Sequence, residues 1–327
     1  MSIFFNCSLI LKKGAFLVII LCSNEEIRLK MKCLFIYNTK SGKGKITKCI
    51  GYIVKKLKTV YDVVDVHESE SVDDLKNHIK EGSNLYDAII FNGGDGSFND
   101  VASGISECEN RPTLGYIPTG TTNDIAHNLK IPTNIKKAVK VITDQVSIKH
   151  DVGKVNDDYF MYVLAIGAGS ATSYTTKQKI KRVLGKMGYL HDFFDEFSSR
   201  ELIDVKLTDG NTTIEKRVPL MLIMNSRRVA GMWLNPYKKV SDGQFDVMMV
   251  NDGKMKGRIN IILTFILRIF RWRKYPAMDY TGSSFDVEVS DNDTWCVDGE
   301  RGPHGKIHVE NLHDHLTIFV PKHLKKS

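Results

Sequence analysis

Residues 86–100, Tyr-Asp-Ala-Ile-Ile-Phe-Asn-Gly-Gly-Asp-Gly-Ser-Phe-Asn-Asp, read as an apolar strand, a glycine turn holding one carboxylate, and the start of a helix. Glycines in such a turn let backbone N–H groups approach a polyphosphate with no Cβ in the way. The turn offers Gly93, Gly94 and Gly96 for that approach, and Asp95 to reach the magnesium that accompanies phosphates. Ser97-Phe-Asn99-Asp100 has capping-box spacing, which predicts that Ser97 caps the helix while its free N–H groups face an anion. A second turn, Gly115-Tyr-Ile-Pro-Thr-Gly-Thr-Thr-Asn-Asp124, repeats the arrangement on the following strand. There Thr119, Thr121 and Thr122 supply hydroxyls, Gly120 permits close approach, and Asn123 and Asp124 open a helix. One such turn is an ordinary strand-to-helix junction; two on adjacent strands imply a phosphate ligand, so the chain reads as a nucleotide-using enzyme.

The pattern around these turns alternates strand and helix from Met31 onward. Cys33–Tyr37, Tyr61–His67, Ala88–Phe91 and Thr113–Ile117 read as strands. Ile46–Leu57, Val72–Glu81, Phe98–Ile105, Asn123–Leu129 and Ile135–Thr143 read as helices. That rhythm predicts a doubly wound parallel sheet over residues 31–148, with ligands beyond the carboxyl ends of its strands. A third turn, Asn38-Thr39-Lys40-Ser41-Gly42-Lys43-Gly44, falls at the same end but lacks the spacing of a Walker loop. Past residue 145 the character changes. Lys149–Val155, Tyr159–Ile166, Ile203–Thr208, Thr213–Val218, Leu220–Met224, Phe245–Val250, Phe285–Ser290 and Thr294–Val297 read as strands, interrupted by helical segments Gln178–Glu196 and Met255–Arg273. Residues 149–311 are therefore expected to form a mostly β sandwich domain, and residues 312–327 are a candidate segment for return to the first.

Composition narrows the partners. The net charge of +8 favours an anionic one, and no RNA-binding signature, zinc finger or repeat points to nucleic acid. Cys7, Cys22, Cys33, Cys49, Cys108 and Cys296 have no C-x-x-C spacing, which predicts free thiols in a reducing compartment. His304, His308, His313 and His315 alternate with apolar residues as on a strand surface rather than as a ligand set. Phe16–Cys22 is apolar but far shorter than the ~20 residues of a spanning helix. Residues 1–30 are expected to be a disordered extension or an upstream misreading of the start.

Together these residues resemble the diacylglycerol kinase catalytic family, the bacterial lipid kinases related to sphingosine and ceramide kinases, from about Met31 to Val320. The resemblance implies an N-terminal nucleotide domain of the kind shared with NAD kinases, and transfer of the γ-phosphate of Mg-ATP to a lipid hydroxyl. The expected substrate is diacylglycerol and the product phosphatidic acid; phosphatidylglycerol and a sphingoid base remain alternatives. It implies nucleotide contacts at Asn38, Thr39, Lys40, Ser41 and Gly42, at Gly93, Gly94, Asp95, Gly96, Ser97 and Asn99, and at Thr119, Gly120, Thr121, Asn123 and Asp124. Asp151-Val-Gly153 is similar to a D-x-G element that organises the catalytic Mg²⁺ with Asp95. Asp298-Gly-Glu300 matches a D-G-E element that carries the base, with Glu300 favoured and Asp298 coupled to it. Lys239, Asp242 and Gln244 are similar to a structural Mg²⁺ segment, though an Asp-Gly hairpin turn reads equally well there. Two positions depart from the family pattern. Glu68 replaces a nucleotide-contacting threonine, and His127 an arginine.

The resemblance also places the enzyme in the cytoplasm at the inner face of a membrane, as a possible homodimer without a nucleic-acid partner. Lys254–Lys274 carries cations around an apolar centre and reads either as a membrane-surface helix with Trp272 at headgroup depth or as a core helix over the β domain. Lys177–Lys186 is a second basic stretch. Two rival functions are NAD kinase, whose threonine-glycine motif lies much farther downstream, and a catalytically silent nucleotide-binding membrane regulator, against which the intact Asp95, Asp298 and Glu300 argue.

Overall fold

A computed structural model describes residues 30–39, 44–167, 202–229, 231–235, 241–252, 257–270, 272 and 275–324. The expected elements at Gln178–Glu196 and Lys177–Lys186, and the first thirty residues up to 29, lie outside the described residues. Residues 31–327 form one compact unit.

The N-terminal half alternates as its sequence dictates. Strands β1 (Lys32–Tyr37), β2 (Val63–Glu68), β3 (Ala88–Gly93) and β4 (Thr113–Pro118) lie parallel in the order β2-β1-β3-β4. Every residue of β3 is buried, the signature of a parallel strand covered on both faces. Five helices, α1 (Ile50–Leu57), α2 (Val72–Gly82), α3 (Asp95–Ser106), α4 (Asp124–Asn128) and α5 (Ile135–Thr143), bury apolar side chains in one core with the sheet. Ile53 and Leu57 come from α1, Ile79 from α2, Phe98 and Val101 from α3, and Val139 and Ile142 from α5. Ser71 accepts from Asp74 N–H and caps α2, and Asp73 and Asp74 favour its positive end.

The C-terminal half is antiparallel. Strands β7 (Val163–Gly167), β10 (Leu220–Met224), β11 (Phe245–Val250), β12 (Ala277–Gly282), β14 (Thr294–Val297) and β15 (Glu300–His304) form a six-stranded sheet in the order β12-β11-β10-β7-β14-β15. Its inner face packs on β8 (Ile203–Thr208), β9 (Thr213–Val218), β13 (Ser284–Glu288) and β16 (Ile307–Phe319) around the fully buried Trp295. A last helix, α6 (Gly257–Ile269), covers the outer face through Ile261 and Phe265.

The two halves share a sheet. β16 pairs parallel with β4 through Ile318 and Leu114, and antiparallel with β13 through Ile307–Glu310. The ten-stranded sheet therefore runs β2-β1-β3-β4-β16-β13-β8-β9, with β5 (Ser147–Val155) paired to β16 and β6 (Asp158–Phe160) paired to β5. Ile307 and Val309 of β16 sit in the C-terminal core, and Leu316, Ile318 and Phe319 in the N-terminal one. A register shift between Leu312 and Leu316, with Asp314 at φ 53°, turns the strand from one core to the other.

Two expectations change and one strand is new. Residues 159–166 are not one strand: the chain breaks between β6 and β7, because the N–H groups of Met161, Tyr162 and Val163 donate to the Asp298 carboxylate instead of to a ladder. Ser97 does not cap α3; the helix begins at Asp95 with Gly94 as its N-cap, so Ser97 lies in the first turn. β12 escaped the sequence reading because Ala277–Gly282 is an edge strand with no buried residue to set a pattern.

Ile318 is fully buried where β16 meets β4. Ile318→Ala is expected to cost about 2–5 kcal/mol of unfolding free energy, as large-to-small core changes do, read from the midpoint of chemical denaturation.

Candidate functional site

Parallel pairing brings the carboxyl ends of β1, β3 and β4 together, and the strand order reverses between β1 and β3. Open α/β sheets bind ligands at such a switch point. Asn92, at the end of β3 and buried, joins the three loops there. Its Oδ1 accepts from Asn38 N–H at 2.9 Å, and its Nδ2 donates to the Asn38 carbonyl at 3.3 Å and to Thr119 Oγ1 at 3.1 Å. The sequence reading included Asn92 at the head of the glycine turn but gave it no role; its signal was a polar residue ending an apolar strand.

The glycine turns close on each other. The Gly93 carbonyl accepts from Thr119 N–H at 2.8 Å, from Gly120 N–H at 3.1 Å and from the Tyr116 hydroxyl at 3.1 Å. A Cβ on Gly120 would stand 2.5 Å from Gly94 Cα, and one on Gly93 would stand 2.2 Å from Ser97 Cβ. Gly120 is thus required by turn-on-turn packing, and Gly93 by the Ser97 side chain of its own turn, as much as by any ligand. The Thr119 and Gly120 N–H groups are spent on Gly93. The free N–H groups are those of the first turn of α3, which have no partner within the helix.

Asp95 heads α3. Its Oδ1 accepts from Ile125 N–H at 3.0 Å, while its Oδ2 takes no hydrogen bond among the described residues. Asn99 Oδ1, one turn on, is buried without a hydrogen-bond partner there. These two hard oxygens suit a magnesium ion. Asn123, in the left-handed region at φ 51°, donates from Nδ2 to the Gly120 carbonyl at 2.9 Å and so fixes the second turn. Thr121 is exposed at the mouth of that turn.

Asp124 faces the other way. Its Oδ1 lies 2.9 Å from Arg228 Nε, and its Oδ2 accepts from Gly231 N–H at 2.8 Å. Both side chains of the ion pair are nearly buried, so removing either would leave an unpaired charge. Asp124 therefore ties α4 to the loop after β10, and Arg228, unforeseen in the sequence, is its partner. Thr39 donates its hydroxyl to Glu68 Oε1 at 2.8 Å, and Tyr37 donates to Glu68 Oε2 at 3.2 Å. Glu68 is thus occupied in holding the end of β1. Lys40, Ser41 and Gly42 lie outside the described residues.

From the C-terminal half, Asp298 and Gly299 make the β14–β15 turn with φ of 49° and 93°, both in the left-handed region that Asp-Gly accommodates. The Asp298 carboxylate accepts from Met161, Tyr162 and Val163 N–H at 2.6, 3.0 and 2.8 Å, and its own carbonyl accepts from the Tyr162 hydroxyl at 2.5 Å. Burial pushes this carboxyl up to about 7, against the lowering pull of the three N–H groups. Glu300, at the start of β15, is exposed. Its Oε1 lies 3.8 Å from the position a Gly96 Cβ would take, so it reaches the first turn of α3. Asp100 is a further group the sequence reading left out of the site: burial raises its carboxyl, and the nearby Glu300 charge raises it further.

Asp151, expected beside Asp95 on the catalytic metal, faces elsewhere. Its Oδ1 accepts from Asp314 N–H and pairs with His313 Nδ1, both at 2.9 Å, and its Oδ2 accepts from Gly243 N–H at 2.7 Å. No described contact joins it to Asp95; it anchors the 241–244 turn. Within that turn Asp242 Oδ1 accepts from Gln244 N–H at 3.3 Å, and Lys239 lies outside the described residues. His304 lies on β15 and His308, His313 and His315 on β16.

Comparison with known proteins decides the class. A diacylglycerol kinase of Staphylococcus epidermidis is 30% identical over 297 residues, spanning 90% of this chain and 93% of that one. The chain belongs to the diacylglycerol kinase catalytic-domain family. Residues 32–155 match the Diacylglycerol kinase catalytic domain itself. A diacylglycerol kinase of Staphylococcus saprophyticus is also 30% identical, over 91% of this chain and 98% of that one. A crystal structure of a diacylglycerol kinase from Bacillus anthracis superposes with a TM-score of 0.76 at 26% identity, covering 90% of this chain and 99% of that one. The chain is thus a lipid kinase, and the family implies ATP as its phosphoryl donor.

The Asp298 shift has a thermodynamic sign. A carboxyl raised from 3.8 to about 7 by folding binds its proton more tightly in the native state. Its contribution is fully present below about pH 4 and lost as pH rises through about 7. Thermal unfolding measured across that window should show a falling stability component in the native enzyme that is missing from Asp298→Asn.

Proposed function

We propose that the kinase transfers the γ-phosphate of Mg-ATP to the hydroxyl of diacylglycerol, yielding phosphatidic acid. The observation that carries this reading is the approach of Glu300 to the first turn of α3, where an acceptor-side carboxylate meets a phosphate-type turn. The relatives named diacylglycerol kinase support the choice of lipid.

Phosphoryl transfer asks mainly for alignment and charge neutralisation. The N–H groups at the start of α3 would take phosphate oxygens, and the Thr121 hydroxyl, at the adjoining turn, would hold the nucleotide from the other side. Asp95 and Asn99 would hold Mg²⁺, which when bound neutralises charge on the β- and γ-phosphate oxygens. Glu300 would accept the hydroxyl proton as the lipid oxygen bonds to the γ-phosphorus and the bond to the β-phosphate breaks, releasing ADP. Asp298, whose oxygens are engaged by three N–H groups, would shape the turn that presents Glu300 rather than take the proton itself. The 241–244 turn remains the proposed seat of a structural Mg²⁺, with Asp242, Gln244 and Lys239 as its oxygen donors.

The lipid must be met at a membrane surface, and α6 suits that task. Ile259, Leu263, Ile266 and Phe270 recur at helical spacing on one exposed face, and Trp272 follows, 63% exposed. The opposite face buries Ile261, Thr264, Phe265 and Arg268. One face packs on the β domain as a core helix does, and the exposed apolar face supports the membrane-surface reading. Arg268 is a structural cation rather than a headgroup contact: it donates to the Leu234 carbonyl and the Tyr275 hydroxyl, both at 2.9 Å, and pairs with Asp279. No helix among the described residues is long and apolar enough to cross a membrane. An apolar face of this kind supports peripheral attachment at the cytoplasmic surface, with the aromatic pair at the interface.

Two measurements check this. Glu300→Gln should lower the rate of lipid phosphorylation about 10²–10⁴-fold, followed by chromatography of labelled product in mixed micelles, while ATP binding by calorimetry stays intact. Unchanged turnover would remove Glu300 as the base, and phosphorylation of NAD⁺ in place of lipid would overturn the substrate class. Phe270→Ser with Trp272→Ser should abolish sedimentation with anionic vesicles and leave the circular dichroism spectrum as in the native enzyme.

A further inference from the structure

Away from the nucleotide crevice, two imidazoles and a carboxylate converge between the edge strand β2 and helix α2. His67 Nε2 lies 2.8 Å from Asp74 Oδ2, and His78 Nδ1 lies 3.1 Å from Asp74 Oδ1. The two rings are stacked with centroids 3.5 Å apart and planes 19° apart. One ligand atom from each of the three residues falls within 4.8 Å of the others.

We propose that His67, Asp74 and His78 bind a zinc-class divalent ion, bracing the end of β2 to α2. Asp74 and His78 stand four residues apart on one face of α2, which projects both toward the same point. His67 comes to that point from β2. Glu70 N–H donates to Asp74 Oδ2 at 3.1 Å and Ser71 caps the helix above it, so the carboxylate is oriented before any ion arrives. Metal–ligand bonds of roughly 2.0–2.2 Å put tetrahedral ligand atoms roughly 3.3 Å apart, so the two histidine–carboxylate spacings need shifts well under 1 Å. The three side chains are 28%, 25% and 33% exposed, half-buried with a side open to solvent, as a three-ligand site completed by water requires.

Two imidazoles and one carboxylate select zinc, nickel or copper over magnesium, which prefers an all-oxygen shell. The site is therefore chemically separate from the magnesium positions of the kinase reaction, and it does not depend on the lipid reading. It does adjoin the nucleotide end of the sheet: Glu68, the next residue on β2, accepts from Tyr37 and Thr39. An ion on His67 would fix the strand end that holds this first loop.

The test is titration of the metal-free full-length protein with Zn²⁺ by calorimetry in magnesium-containing buffer, and with Co²⁺ followed by its visible absorption. One equivalent should bind, with ligand-field bands and no thiolate charge-transfer band. His67→Gln and His78→Gln should each weaken binding by more than the roughly 10–100-fold that loss of an outer-sphere partner costs. Their circular dichroism should match the native protein, since both histidines are part-exposed. Absence of stoichiometric binding, an affinity unchanged in both variants, or a thiolate band that marks a cysteine site would overturn the proposal.

Discussion

The crevice depends on the carbonyl of Gly93. One oxygen at the end of a buried parallel strand collects the donors of the neighbouring turn, and this sets the distance between the two glycine turns. Asn92 extends the junction to the loop after β1. Three loops from distant parts of the sequence are thereby held at one height above the sheet, and a ligand meets a surface already formed. Preorganisation of this kind matters for phosphoryl transfer, where the protein supplies alignment rather than covalent chemistry.

Negative charge gathers opposite this junction, Asp298 and Glu300 from the C-terminal half and Asp100 from α3. Asp298 and Asp100 are both raised chiefly by burial, Asp298 further by Asp95 and Asp100 by Glu300. A crowd of carboxylates facing a phosphate turn is unfavourable alone. On the proposed reading, a divalent cation arriving with the nucleotide would offset that repulsion.

Much of this was legible before the structure. Periodicity placed β1–β4 and α1–α5 closely because buried parallel strands and amphipathic helices carry strong patterns, and the Gly-Gly-Asp-Gly turn named its own strand end. What escaped depends on partners far apart in sequence. The cap on α3 was read from the spacing of Ser97, yet the junction at Gly93 and Gly94 starts the helix earlier. The turns of Asp124 toward Arg228 and of Asp151 toward Gly243 and His313 cross between halves, and no local rule encodes them. Asp298 looked like a proton acceptor because its motif adjoins Glu300; its three N–H donors come from residues 161–163.

The passage of β16 through both cores bears on how the chain acquires its shape. Leu316, Ile318 and Phe319 complete the hydrophobic interior of the nucleotide half, although β16 follows every other described strand in chain order. Nascent chains ordinarily consolidate their N-terminal domain first. Here the edge of β4 lacks its neighbour until β16 has been made, so the nucleotide half matures together with the acceptor half. On the proposed reading, the phosphate turns would then be completed only together with the carboxylates that oppose them.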